Sequence, residues 1–100
     1  MKQHRLVSDP LADLDIEAVF QWYENERPGL GNDFLVELRA AYDQIVDGQL
    51  KFQQLRSGIR RALLARFPYG VFFSLEDELV VVIAVLHASR DPAEWQRRKD

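Results

Sequence analysis

Apolar side chains recur every three or four residues along the first half of the chain, which is the spacing of a helix with one buried face. The first stripe lies between residues 11 and 26 and consists of Leu11, Ile16, Val19, Phe20 and Tyr23. The Ser8-Asp9-Pro10 segment before it suits a helix start, because a side-chain oxygen can accept from the free amides and proline fits the first turn. We therefore expect a helix from Leu11 to about Glu26.

A second apolar stripe predicts another helix directly afterwards. It consists of Phe34, Leu35, Leu38, Tyr42, Ile45 and Val46. Asn32 can cap the beginning of this helix, and Gly48 can end it. Between the two stripes, the segment RPGLG contains a proline and two glycines, which interrupt a helix. So short a break between two helices favours an antiparallel hairpin.

After residue 50 the helical spacing gives way to strand-like alternation. Residues 51–57 are predicted to be a connection. Strands are expected at HRLV (4–7), IRRALLARF (59–67), VFFSL (71–75) and LVVVIAVLH (79–87), with breaks at Pro68-Tyr69-Gly70 and Glu76-Asp77-Glu78. The last strand is rich in β-branched residues and apolar in both phases, which indicates a strand that is covered on both faces.

The order of these elements predicts an α+β fold in a single domain over residues 1–100. An N-terminal strand and an antiparallel helical hairpin pack on a curled antiparallel sheet, whose last three strands form a meander. Asp91-Pro92 can open a short C-terminal helix.

The composition is that of an ordinary globular protein, with 47% hydrophobic and 29% charged residues. There is no cysteine, so a disulfide framework and a thiolate metal site are excluded. We expect no metal and no cofactor. The segment MKQHRLVSDP lacks the apolar core of a signal peptide, and no apolar run is long enough to span a membrane, so a cytoplasmic location is expected.

Charge is distributed unevenly along the chain. Residues 1–50 carry ten acidic and four basic side chains, a net charge of −6, whereas residues 51–100 carry six acidic and nine basic ones, a net charge of +3. Seven of those nine cations are arginines, which favour bidentate contacts with carboxylate or phosphate. The overall charge of −3 argues against nonspecific nucleic-acid binding as a main function.

Three segments together resemble the RelE/ParE superfamily of toxins from type II toxin–antitoxin modules, often described as plasmid stabilisation proteins. They are WYENERPGLGNDFLVEL, IRRALLARFPYGVFF and VVIAVLHASRDPAEWQRR. Their most specific features are a tyrosine before Pro-Gly-Leu-Gly, an Arg-Phe-Pro-Tyr strand break and a terminal His-x-x-Arg-Asp-Pro. The resemblance covers nearly the whole chain in order and is closer to the ParE-like branch.

The resemblance implies a growth-inhibiting protein that is silenced by a cognate antitoxin, whose C-terminal segment fills the groove between the helical hairpin and the sheet. ParE-type members act on DNA gyrase, whereas RelE-type members are ribosome-dependent endoribonucleases that cut messenger RNA. Neither a membrane nor a small-molecule substrate is implied. Both branches share one fold, so the choice must rest on the site.

If the chain were a nuclease, the positions that match the family would be Arg61, Arg66, His87 and Arg90. His87 is in phase with Leu79, Val81, Ile83 and Val85, so a regular strand would turn all five side chains to the same face. A histidine that ends a buried strand more often bonds to nearby groups or packs on an aromatic ring. Arg90 with Asp91 can equally be a local ion pair.

Several features favour binding over catalysis. The helices lie in the acidic half of the chain, no aromatic residue follows Trp95, and His87 would be the lone acid–base group among arginines. We therefore assign no catalytic residue and expect the chain not to be an enzyme. The leading hypothesis is a ParE-like toxin acting on DNA gyrase. The alternatives are a RelE-type nuclease acting on the ribosome and mRNA, and a non-toxic relative that only binds the antitoxin.

The candidate partner-binding residues fall into a cationic set and a groove set. The full list is Arg60, Arg66, Tyr69, His87, Arg90, Trp22, Leu38 and Tyr42, and Leu14 and Phe20 are also expected to flank the groove. The same apolar residues can simply form the core between hairpin and sheet. In particular, Trp22, Phe67 and Trp95 suit a core or a lid better than a ligand platform.

Overall fold

The computed structural model describes residues 4–56, 58–90 and 92–99 and has the predicted α+β architecture. The helices are α1 (Pro10–Glu26), α2 (Leu30–Asp47) and α3 (Pro92–Lys99), and a single 3-10 turn spans Gln49–Lys51. The strands are β1 (Arg5–Ser8), β2 (Gln53–Arg56), β3 (Ile59–Leu63), β4 (Tyr69–Glu76) and β5 (Leu79–His87). Within the described ranges, no helix combines the length and the apolar composition needed to cross a bilayer.

The five strands form one sheet in the order β1-β5-β4-β3-β2. Strands β2 to β5 are an antiparallel meander, and β1 joins its β5 edge in parallel orientation. The prediction of a three-stranded meander was wrong, because residues 53–56 of the expected connection form the edge strand β2. Its sequence QQLR offers little apolar alternation. Pairing with β3 supplies the order that the local sequence does not predict.

The strand expected at residues 59–67 ends early, at Leu63. The chain then turns through residues 64–68, and this turn carries Phe67 into the core, where it is 6% exposed. Strand β4 begins at Tyr69, so the break spans residues 64–68 and lies earlier in the chain than the expected Pro68-Tyr69-Gly70. The expected turn at Glu76-Asp77-Glu78 is present, with Asp77 in the left-handed conformation at φ 57°.

The helical hairpin begins as predicted and turns by an unpredicted device. The Asp9 carboxylate accepts from the Leu11 amide at 2.9 Å, and Pro10 occupies the first turn of α1. Helix α2 starts at Leu30 behind Gly29, whose φ of 93° favours glycine. Asn32, the expected cap, therefore lies inside the first turn.

The hydrogen-bond acceptor for the free amides at the start of α2 is a side chain of the preceding helix, α1. The Glu24 carboxylate accepts from the amides of Gly29 and Gly31 at 3.0 and 3.1 Å. These donors would otherwise have no helical partner, and an anion at this end also interacts favourably with the helix dipole. Because Glu24 belongs to α1, the spacing of residues within α2 could not reveal it.

The sheet is covered on both faces. Helices α1 and α2 pack on one face, here called the hairpin face, over a core that includes Phe34, Phe73 and Val82. On the opposite face, helix α3 places Trp95 over Phe72, with the rings stacked at 5.5 Å. This two-sided burial explains why β5 is apolar in both phases, and it confirms Trp95 as a core or lid residue.

A β-bulge in β5 decides where His87 points. Phe72 of β4 pairs with Ala84 but the next residue pairs with Val82, so Ile83 is an extra residue in β5. One extra residue reverses the faces of all later side chains. His87 therefore shares the hairpin face with Val85, whereas Ile83 packs on the α3 side. The prediction that all five alternating residues of β5 share one face was wrong, because it assumed a regular strand.

Candidate functional site

A pocket of about 190 Å³ opens where α1 meets the carboxyl end of β5. We call it the β5 pocket. It is lined by Asp15, Ala18, Val19, Trp22, Tyr69, Val85, Leu86, His87 and Arg90. Four of the predicted partner-binding residues, Trp22, Tyr69, His87 and Arg90, thus come together at one place.

The sheet register positions two of the rings that line the pocket. Tyr69 pairs with His87 across β4 and β5, and the rings meet edge to face with centroids 5.4 Å apart. Tyr69 is also held in edge-to-face contacts by the buried rings of Tyr23 and Phe34, at 6.1 and 5.9 Å. The rigid aromatic core therefore fixes this side of the pocket.

The hydrogen bonds of His87 determine which ring nitrogen carries the proton. Its Nδ1 accepts from the Ser89 amide at 3.1 Å, and the Ser89 hydroxyl lies 2.8 Å from the same atom. An amide can only donate, so Nδ1 is the acceptor and the neutral ring carries its proton on Nε2. His87 thus offers an N–H donor to a ligand.

Trp22 and Arg90 form the exposed side of the pocket. Trp22 is 58% exposed and rests edge-on against Tyr23 at 5.1 Å, so of the two roles expected for it, core or lid, the core role was wrong. The next residue, Tyr23, is the aromatic side chain that α1 buries in the core. Arg90 lies 3.6 Å from Glu94, one turn away. The ion pair expected with Asp91 concerns a residue outside the described part of the chain.

Asp15 lines the pocket and is held by hydrogen bonds within the protein. Its carboxylate accepts from the Val85 amide at 2.9 Å and from both terminal nitrogens of Arg98. Arg98 also donates to the Ile83 carbonyl at 3.3 Å, and its hydrogen bond to Asp15 raises the guanidinium pKa. Both side chains are mostly buried, with 13% and 16% exposed.

Asp15 and Arg98 supply hydrogen-bond partners to the edge of β5 beyond the point where strand β1 ends. Strand β1 pairs with β5 only as far as Val82, so the next backbone groups on that edge have no strand partner. Asp15 and Arg98 supply side-chain partners for two of these groups, at Val85 and Ile83. Sequence analysis did not single out either residue, because they are 83 positions apart and no local motif joins them.

The strand arginines do not join His87. Arg60 and Arg61 are neighbours in β3 and so extend to opposite faces of the sheet. Arg60 donates to the Phe52 carbonyl at 2.7 Å. Arg61 donates to Gln53 at 3.3 Å and lies across from Phe72 on the α3 side of the sheet, opposite to the face of His87.

Arg66 belongs to a second groove, of about 270 Å³, between α2 and the turn after β3. Its amide donates to the Glu37 carboxylate at 2.7 Å, and its guanidinium lies 3.9 Å from Asp33 and 5.4 Å from the Phe67 ring. Two carboxylates of α2 therefore hold this part of the chain. Arg66 and Arg90 line different pockets.

The predicted apolar groove is partly core and partly exposed. Leu38 is only 4% exposed and packs within the hairpin core, so it cannot contact a partner in this structure. Phe20 packs closely against Gly31 between the helices. By contrast, one line of α1 side chains faces outward and runs into the β5 pocket. We call it the α1 stripe, and it consists of Leu11, Leu14, Ala18 and Trp22.

Tyr42 is largely buried beside α1. Burial and the nearby Asp13 carboxylate raise its pKa from 10 to about 12. Among the described residues, no group hydrogen bonds to its hydroxyl. Tyr42 thus lies beneath the groove as a packing residue. The described residues also contain no group of three side chains suited to holding a metal ion.

The family follows from a match over most of the chain. A family model described as "ParE toxin of type II toxin-antitoxin system, parDE" matches residues 6–92. The chain belongs to the ParE toxin family. In this ParE-family chain, Trp95 and Arg98 of α3 lie beyond the matched region. Most of the helix that packs on the sheet face opposite the hairpin is therefore outside the match.

A solved structure supports the fold of this ParE-family chain. A chain described as "Chromosomal ParDE TA system from P. aeruginosa" superposes with a TM-score of 0.76 at 13% sequence identity. The superposition covers 85% of this chain and 96% of that one. At so low an identity, the likeness shows a shared fold. No curated protein sequence matches the chain.

Proposed function

We propose that this protein is a ParE-type toxin that inhibits growth by binding DNA gyrase and is neutralised by an antitoxin. Family membership supports the toxin–antitoxin context. The β5 pocket supports binding as the mode of action, since it combines two aromatic side chains with an imidazole and a guanidinium. Such a surface suits recognition of a macromolecule.

The observation that carries the choice against RNA cleavage is the separation of Arg61 from His87. Cleavage without a metal needs a base, an acid and a cation around one phosphate. Arg61 extends from the face of the sheet opposite to His87, and Arg66 interacts with α2. Among the described residues, Arg90 is then the one arginine beside His87 and Tyr69 in the pocket, and a single cation beside these two groups favours binding.

Antitoxin binding is supported by the α1 stripe. Leu14 and Trp22 are each more than half exposed, although a folded chain normally buries such side chains. Their spacing along one helical face suits an amphipathic segment laid against α1. We therefore propose that the antitoxin covers the α1 stripe and the β5 pocket together, with Arg66 and the second groove as a separate contact.

The target is tested by adding the purified protein to two assays in parallel, one with gyrase and one with translating ribosomes. With gyrase and supercoiled plasmid, we expect accumulation of cleaved DNA, and the Trp22→Ala, His87→Ala, Arg90→Ala triple variant should lose at least tenfold in potency. Arg97→Ala is the matched control, because Arg97 is an exposed cation that does not line the pocket. With translating ribosomes, we expect intact transcripts. Cleaved transcripts that depend on His87 would overturn the proposal, and inactivity in both assays would identify a non-toxic relative.

A further inference from the structure

We infer that the β5 pocket is a receptor for one carboxylate side chain, carried by an amphipathic helical segment of the antitoxin. The inference rests on the proposed function and adds the chemistry of the partner. In this arrangement, an acidic residue of the antitoxin binds His87 and Arg90, and apolar residues of the antitoxin pack on the α1 stripe.

Three side chains that line the pocket offer N–H donors, and the Tyr69 hydroxyl can donate as well as accept. Nδ1 of His87 is already occupied by Ser89, which leaves Nε2–H as the outward donor. The Arg90 guanidinium carries five N–H groups, is half exposed, and touches Glu94 only at 3.6 Å. The indole of Trp22 adds another donor and no acceptor.

The one carboxylate in the pocket wall is not available to a ligand. Asp15 already accepts from the Val85 amide and from both terminal nitrogens of Arg98. Its charge is thus balanced within the protein. The N–H donors of the pocket therefore favour a ligand that brings acceptors, and a negative charge on it would be stabilised by hydrogen bonds to the Arg90 guanidinium.

The surroundings favour a single compact charge over a polyanion. Helix α1 forms one wall of the pocket and carries Asp13, Glu17, Glu24 and Glu26 besides Asp15. The described part of α1 carries no basic side chain to offset these charges, so the helix as a whole disfavours the approach of a polyanion such as a nucleic-acid strand. Arg90 is the one cationic side chain that lines the pocket in the described structure, and His87, whose Nδ1 accepts from Ser89, adds a single N–H donor beside it. A ligand with one carboxylate matches the small number of cationic groups in the pocket.

The apolar approach to the pocket indicates a helical carrier for the carboxylate. The α1 stripe uses positions 11, 14, 18 and 22, which lie on one helical face and extend over about 16 Å at the helical rise. Ala18 and Trp22 belong both to the stripe and to the pocket. A helix of about three turns can therefore rest on the stripe and place an acidic residue in the pocket.

The test uses the full-length antitoxin encoded beside the toxin gene and two charge reversals on the toxin. Arg90→Glu and Arg97→Glu change the same charge, and each parent residue lies near Glu94, at 3.6 and 3.5 Å. Only Arg90 lines the β5 pocket. We expect Arg90→Glu to weaken antitoxin binding about 30-fold or more and Arg97→Glu to change it less than twofold.

Charge rescue then identifies the partner group. Each acidic residue in the C-terminal half of the antitoxin is changed to lysine, and we expect one substitution to restore binding to Arg90→Glu while weakening binding to wild type. Iodide quenching of the exposed Trp22 should fall when the antitoxin binds. His87→Gln and Arg90→Gln repeat the measurement with smaller changes, in case the reversal impairs folding.

The outcomes separate this inference from the proposed function. If wild type does not bind the antitoxin, both fail. If wild type binds and the Arg90 and Arg97 variants bind equally well, the carboxylate receptor is refuted and antitoxin neutralisation stands. Failure of every lysine substitution to rescue Arg90→Glu also refutes it. Tight binding of a single-stranded oligonucleotide that requires Arg90 would assign the pocket to phosphate instead.

Discussion

Removing the Asp15 carboxylate should destabilise the whole domain, because this one group holds three parts of the fold together. Asp15 belongs to α1, its partner Arg98 to α3 and its second donor, the Val85 amide, to β5. The substitution Asp15→Ala would remove both interactions. It would leave the guanidinium largely buried without its counter-charge, and Val85 without an acceptor.

The expected loss follows from the geometry of these contacts. A hydrogen bond to a charged group contributes about 1.5–3 kcal/mol, and removal of one member of a buried ion pair costs about 3–5 kcal/mol. Both side chains retain a little exposure, 13% and 16%, so we expect the lower end of that range. The free energy of unfolding should fall by about 3 kcal/mol. For a 100-residue domain, this lowers Tm by roughly 12–20 °C.

Urea unfolding followed by circular dichroism measures this loss, and a double-mutant cycle assigns it to the pair. The cycle combines Asp15→Ala with Arg98→Met, and we expect a coupling energy of about 2 kcal/mol. Arg97→Met is the control, since Arg97 is 69% exposed and pairs with Glu94 at 3.5 Å. It should change stability by less than about 0.5 kcal/mol.

Two results would refute this reasoning. A coupling energy below about 0.5 kcal/mol would mean that Asp15 and Arg98 do not stabilise one another. A loss for Asp15→Ala no larger than that of the Arg97 control would mean that the edge of β5 does not need these partners.

Two further substitutions test the packing of the hairpin. Gly31→Ala should cost about 1–3 kcal/mol of folding free energy in urea unfolding, because a Cβ at this position would lie 2.8 Å from the ring and the carbonyl oxygen of Phe20. Tyr42→Phe should add about 1 kcal/mol at neutral pH by removing a buried hydroxyl without a described partner. It should also reduce the loss of stability at alkaline pH. The pKa of Tyr42 is raised from 10 to about 12 by folding, so the unfolded state releases this proton first, and the free energy of unfolding falls by roughly 2 kcal/mol as pH rises from 10 to about 12.

Each substitution has a control in the same chain. Gly48→Ala meets its nearest neighbour at an ordinary 3.6 Å and has an extended φ of −164°, so its cost should be smaller than that of Gly31→Ala. Equal costs would contradict the close contact between the helices. Burial also raises the pKa of Tyr23, so part of the alkaline loss should persist in Tyr42→Phe. An unchanged alkaline loss would show that Tyr42 does not contribute to it.

Several features of this protein could be predicted from the sequence because they depend on local physical chemistry. The two apolar stripes predicted the helices, and the break between them predicted the hairpin. The apolar character of β5 in both phases predicted burial on two faces, which the hairpin and Trp95 provide. Edge strand β2 was missed because its order comes from pairing with β3, without a hydrophobic face of its own.

The candidate site was predicted in its members and not in its geometry. Trp22, Tyr69, His87 and Arg90 were all named from the sequence, and the structure brings them to one pocket. Leu38 proved to be core, and the strand arginines point elsewhere. Sequence spacing gives the period of a strand, but it does not show which side chains meet across a sheet.

The sequence alone therefore determined which segments are helical or extended and which residue types gather near the end of the last strand. Tertiary structure alone decided that His87 faces α1, because the extra residue at Ile83 matters only relative to the partner strand β4. It also decided that Asp15 and Arg98 form a pair, since they approach each other only when both faces of the sheet are covered. Local patterns record the preferences of neighbouring residues, and contacts between distant residues form only when the chain is folded.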